Sequence, residues 1–229
     1  MIFDPNDINN TISVGNISVP ANTIIVYAGS STFASTTTAA YGGPAGGSVP
    51  DGSSMDWINT LLYRGNGTSR MPPLGAITFS TEIAWYFDSD PSTVEDFGMD
   101  VDFFSEAVHE LFHVLGFGTL NTWTGLEDAG AGTFSGVDSM ALFGGTVPLD
   151  DLRQHWAEHT NSLISGTTTV QEAAMDPTIL LGIRKYVTDL DVAALSDIGY
   201  VTTAVPEPAS TVLTFGLLAF ILMLRRRRA

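Results

Sequence analysis

The run His109-Glu110-Leu111-Phe112-His113-Val114-Leu115-Gly116 decides how this chain is read. On an α-helix, histidines four residues apart share one face, and both imidazoles can reach a single metal ion. Glu110, beside the first histidine, projects toward the same front, where its carboxylate can take a proton from a water held by that metal. The flanks agree with a helix. Asp102 (or Asp100) is placed to cap its start, and Phe103, Phe104, Ala107, Val108, Leu111, Phe112 and Leu115 give it a broad apolar face. Gly116 suits a left-handed C-cap. Asp102 and Glu106, one turn ahead of the motif, are explained by capping and the helix dipole.

A catalytic zinc usually takes three protein ligands and keeps a fourth position open. Cysteine is absent from the sequence, so thiolates cannot ligate a metal and disulfides cannot staple the fold. Only two further histidines exist, His155 and His159, four apart on a helix predicted over residues 149–163. Glu127, Asp128, Glu158 and Glu172 are carboxylate alternatives.

Outward from the motif, the pattern predicts short strands over 12–19 and 23–27, parted by Pro20-Ala21-Asn22, and over 76–80 and 83–87. Residues 29–54 are rich in Ser, Thr, Gly and Pro and read as a long surface loop, with Gly42-Gly43-Pro44 inside it. A short helix is predicted over 55–63. Asp88-Ser89-Asp90-Pro91 could be a cation loop, but an Asx turn explains it better. Residues 118–148 read as loop-rich. Thr188-Asp189-Leu190-Asp191 starts a last helix with a capping-box pattern, and Gly199 closes it.

The combination of His109-Glu110-x-x-His113-x-x-Gly116-Phe117-Gly118, a distant His155-Trp156 and Met175-Asp176-Pro177 resembles the leishmanolysin-type branch of the metzincin zinc peptidases. The resemblance spans roughly residues 75–200. In the compact metzincin pattern the third histidine falls where this chain has Thr119; in this branch a long insertion precedes it. The resemblance implies that His109, His113 and His155 hold zinc, that Glu110 is the general base, and that Met175 lies beneath the metal. It also implies an α+β fold: a twisted mixed sheet over the active-site helix, with zinc in a cleft between N- and C-terminal subdomains. Residues 1–200 would then form a metallopeptidase catalytic domain acting on a protein or peptide substrate. The sheet edge that pairs with such a substrate is expected at Ile77-Thr78-Phe79 or at the strand beginning at Ile83. Two alternatives remain: a zinc hydrolase of matrix polysaccharide, and a non-catalytic adhesive protein associated with exopolysaccharide.

Net charge is −16, and four of the nine basic residues sit together as Arg225 to Arg228. Residues 1–208 hold five Lys and Arg against all 25 acidic residues, a balance of −20. Such a surface argues against nucleic acid or anionic lipid as a partner of the main domain. Past a linker at 201–208, residues 209–224 are an uncharged, mostly apolar run; as a helix it would be roughly 24 Å long, short of the ~30 Å hydrocarbon core. Val205-Pro206-Glu207-Pro208-Ala209-Ser210, this run and the four arginines together resemble the PEP-CTERM sorting signal, over residues 205–229. That resemblance implies a Gram-negative bacterium, export, transient anchoring in the inner membrane through a C-terminal apolar helix, and removal of the tail by an exosortase-type enzyme. The mature protein would be periplasmic, on the cell surface or in the extracellular matrix. Residues 1–7 lack the pattern of a signal peptide, so a truncated N-terminus is expected.

Overall fold

The structure, a computed structural model, describes residues 1–15, 18–20, 23–46, 71–90, 93 and 95–202. The strands in chain order are β1 (Ile2–Asp4), β2 (Asp7–Ile12), β3 (Ile25–Ser31), β4 (Ala40–Pro44), β5 (Leu74–Ser80), β6 (Trp85–Tyr86), β7 (Val101–Asp102), β8 (Glu127–Asp128), β9 (Thr133–Phe134), β10 (Val147–Pro148), β11 (Asn161–Leu163) and β12 (Val170–Glu172). The helices are α1 (Phe103–Leu115), α2 (Asn121–Thr124), α3 (Val137–Phe143) and α4 (Asp189–Asp197). The chain is α+β, with one mixed sheet and several smaller ones, all antiparallel except the β6–β7 pair.

The mixed sheet runs in the order β3-β5-β4. β3 pairs with β5 in parallel, Ile25 opposite Leu74 through Ser31 opposite Ser80, and β4 pairs with β5 antiparallel, Ala40 opposite Phe79. β5 is buried along almost its whole length, which follows from its apolar run Leu-Gly-Ala-Ile and its central place. Helix α1 packs against β4 and β5. The β1–β2 hairpin adds Ile2 to a small core with Leu74 and Ala76.

The larger core lies on the other side of the motif. It joins Phe112, Phe117, Trp123, Phe134, Trp156, Met175, Leu190 and Ile198, all buried. Phe117, Trp123, Phe134 and Trp156 pack ring against ring, with centroids 4.1 to 5.6 Å apart. Such a cluster removes several hundred Å² of apolar surface from water and fixes the loops that carry it.

Several expectations are corrected. Residues 149–163 form no helix. The Asp150 carboxylate accepts from the backbone N–H of Gln154 (2.8 Å) and His155 (3.1 Å), and the Arg153 N–H donates to the Asp150 carbonyl (3.0 Å). These local bonds compete with helical ones and win. Arg153 and His159 then adopt positive φ, 59° and 65°. The stretch 29–54 is no continuous loop, because β3 extends to Ser31 and β4 occupies 40–44. Gly42 is there for close packing: a Cβ on it would collide with the Glu110 carbonyl and approach the Glu110 Cβ and Oε2 to 2.8 Å. Of the strand expected over 12–19 only Ile12 is in a strand among the described residues, as the end of β2, and the strand at 83–87 shrinks to Trp85–Tyr86. β5 is central, so Ile77-Thr78-Phe79 is no edge; the edge beside α1 is β4. The loop-rich segment 118–148 also holds α2, α3 and the sheet β10-β9-β8.

The ends of α1 match expectation. Asp102 accepts from the Ser105 N–H at 3.2 Å, and Gly116 closes the helix at φ 115°. Helix α4 has the full capping box between Thr188 and Asp191. Asp88 makes the expected Asx turn to the Asp90 N–H (2.7 Å) and also pairs with Arg184 at 2.9 Å. Among the described residues no helix is long and apolar enough to cross a membrane. The helix expected over 55–63 and the apolar helix over 209–224 lie outside the described residues.

Candidate metal centre

Helix α1 sets His109, His113 and Glu110 on the face turned toward β4 and the segment 174–178. His155 reaches the same point from the loop after β10. Its neighbour Trp156 anchors that loop. The indole is fully buried, stands edge-on to Phe117 at 5.0 Å, and donates its Nε1–H to Asp191 at 3.0 Å. Gly118 (φ 69°) lets the chain after α1 run against Gln154, where a Cβ would collide with the Gln154 carbonyl.

The three rings converge. His113 Nε2 lies 3.2 Å from His109 Nε2 and 3.0 Å from His155 Nε2, and one ligand atom from each ring falls within 4.8 Å of the others. The hydrogen bonds of the opposite nitrogens identify the tautomers. His109 Nδ1 faces the Ala174 carbonyl at 2.8 Å, and His113 Nδ1 faces the Phe117 carbonyl at 2.9 Å. A carbonyl only accepts, so both Nδ1 atoms carry the proton. His155 Nδ1 faces Asp150 Oδ2 at 3.1 Å, which favours the same state. Each Nε2 therefore presents a bare lone pair. Three lone pairs at this distance repel, and no hydrogen bond can join them.

Charging His109 or His113 is disfavoured. Burial, with the His113 and His155 charges, holds His109 well below its ordinary range. Burial and His155 bring His113 down to about 4. A cation is what the arrangement fits. Two imidazole nitrogens bound at about 2.1 Å in a tetrahedron sit roughly 3.4 Å apart, close to the two short separations here. The Nδ1 partners are the supports that such ligands normally have.

Glu110 completes the site. It is buried, and its Oε2 has no hydrogen-bond partner among the described residues. Burial first, then the Glu106 charge, raises its carboxyl well above the usual range, with the Gly42 amide opposing. These groups border a cavity of about 460 Å³, lined by 37–42 on one side and by 174, 176–179 and 185 on the other.

The remaining candidates stand elsewhere. His159 is exposed and bonds Glu172 at 2.9 Å. Glu127 pairs with Arg153 (3.2 Å), Glu158 accepts from Thr178 (3.1 Å), Glu172 pairs with Lys185 (3.0 Å), and Asp128 holds a turn at Gly130 (2.9 Å). Met175 is fully buried in the larger core, one residue past the carbonyl that orients His109.

Two residues have a larger part than the sequence suggests. Asp150 orients His155, and the bonds from the His155 ring and backbone hold its carboxyl low despite burial. Asp191 is more than a cap, because it also accepts from the N–H groups of Ala174 (2.9 Å) and Met175 (3.2 Å) and from Trp156. It thus ties the turn behind His109 to the loop of His155. Only the acidic residue at the third helical position of α4 hints at it beforehand. Compared with protein-family models, curated proteins and solved structures, the chain matches none.

Proposed function

We propose that this chain is a zinc-dependent endopeptidase of metzincin type, with His109, His113 and His155 as the ligands and Glu110 as general base. The observation that carries this reading is a set of three converging Nε2 atoms beside a buried carboxylate oxygen that has no partner among the described residues, at the wall of one cavity. Zinc bound there would supply Lewis acidity, polarising a scissile carbonyl and acidifying water. Glu110 Oε2 takes the proton from the attacking water as the C–O bond forms, and returns it to the amine nitrogen as the C–N bond breaks.

Edge strand β4 can align a peptide. Just beyond its two ends, the Ala39 carbonyl accepts from the Ser80 N–H (2.7 Å) and the Ala45 N–H donates to the Leu74 carbonyl (2.8 Å), which sets which residues of β4 face β5. Antiparallel alternation then turns the backbone groups of Ala40 toward the cavity it lines, while the Gly42 amide in the same row is taken by Glu110. The C-terminal resemblance supports an exported protein that an exosortase-type enzyme releases from the inner membrane.

The test uses the full chain loaded with zinc. About one zinc per chain is expected, with cleavage of casein. Glu110→Gln should keep the zinc and lose at least ~100-fold in rate. Proteolysis retained in that variant, or a protein that takes up no zinc, overturns the reading.

A further inference from the structure

We propose that Glu106 forms a subsite for a basic side chain, so that the substrate carries lysine or arginine close to the bond that is cut. "Substrate" here rests on the peptidase reading, but the site itself rests on geometry. Glu106 lies one helical turn before Glu110, on the same face of α1, and lines the same cavity. It is 9% exposed, and its carboxylate makes no hydrogen bond or ion pair within 4 Å among the described residues.

The nearby cations are committed elsewhere. Lys185 Nζ bonds Glu172 (3.0 Å), Asp176 (3.3 Å) and the Thr178 carbonyl (2.7 Å). Arg184 lies between Asp88 (2.9 Å) and Asp102 (2.8 Å). Burial lifts the Glu106 carboxyl to about 7 even though the Lys185 charge opposes it. A buried carboxylate without a partner is costly, and a cation arriving in the cavity removes that cost. An organic cation fits better than a second metal ion, because Glu106 falls outside the one set of converging ligands among the described residues. A guanidinium or ammonium, unlike a metal ion, needs only one carboxylate, and Glu106 supplies it at the cavity wall. The balance of −20 over residues 1–208 also draws basic peptides toward the molecule.

The test measures binding and cleavage separately. Fluorescent hexapeptides of alanine and serine carry a single arginine, or its uncharged isostere citrulline, at each central position in turn. Binding is read by anisotropy on the zinc-loaded full chain carrying Glu110→Gln, so that turnover does not interfere. At one position arginine should bind about tenfold tighter than citrulline. Adding Glu106→Gln should reduce the ratio to less than twofold, while Glu106→Asp keeps part of it. No arginine preference at any position overturns the proposal, and so does a preference that survives in a folded Glu106→Gln protein. If that variant does not fold, the arginine-to-citrulline ratio in the parent and in Glu106→Asp decides. The native chain is assayed for cleavage of the same peptides. An arginine preference without cleavage sinks the peptidase reading alone, whereas cleavage without the preference sinks the subsite alone.

Discussion

Single side chains carry the chemistry, and their states are set by what touches the far end of each. A carbonyl or carboxylate on Nδ1 leaves Nε2 of His109, His113 and His155 bare. His155→Ala should therefore lower zinc affinity by at least ~10-fold, while His159→Ala, whose ring lies exposed against Glu172, should leave it unchanged. Competition with a chromophoric chelator measures both. Glu106 gives a pH signature of its own. Its folded carboxyl is raised from 4.5 to about 7, so the folded state holds a proton that the unfolded state has lost. The stability from this group is complete below pH 4.5 and is lost as pH rises through 7. Glu106→Gln removes the effect. In urea titrations of the metal-free protein the variant should match its parent at pH 4.5 and exceed it at pH 7.5, by up to about 3 kcal/mol. Equal stabilities at both values would show that the carboxylate is not strained by burial.

At the scale of elements, a few polar residues hold loops where helices and strands end. Asp191 receives only donors: Trp156 Nε1 and the Met175 N–H on one oxygen, and the Ala174 N–H with the Thr188 N–H and hydroxyl on the other. Asp191→Asn must aim an NH₂ group at N–H donors whichever way the amide turns. The expected cost is about 1–3 kcal/mol, read as a lower melting temperature, together with weaker zinc binding because the turn behind His109 loosens. A variant that melts with its parent would refute this role. The ends of α1 and α4 were legible in advance, since capping residues act on their nearest backbone neighbours. The segment 149–163 was not. Its apolar and polar spacing suits a helix, but the Asp150 carboxylate takes the N–H groups of Gln154 and His155. β4 was hidden for another reason, because Gly42-Gly43-Pro44 reads as a loop until Glu110 is seen packed against it.

Over the whole molecule, the centre couples α1 to the loop of His155, two parts otherwise joined through the aromatic core. Zinc that binds only the folded form stabilises it, by about 2.7 kcal/mol at a free concentration 100 times Kd. Treatment with a chelator should thus lower the melting temperature by several degrees, and added zinc should restore it. An unchanged melting curve would place the metal outside the folded core or exclude it. What the sequence determined alone is the local part of this protein: the motif helix with its caps, the closing helix, and the two histidines and glutamate on one face. Those features depend on contacts within about one turn, which spacing records. Tertiary structure decided that the ring of His155 and not that of His159 meets the motif histidines, the place of β4 at the sheet edge and the isolation of Glu106. These depend on which distant segments meet, and on buried bonds whose partners lie tens of residues away along the chain.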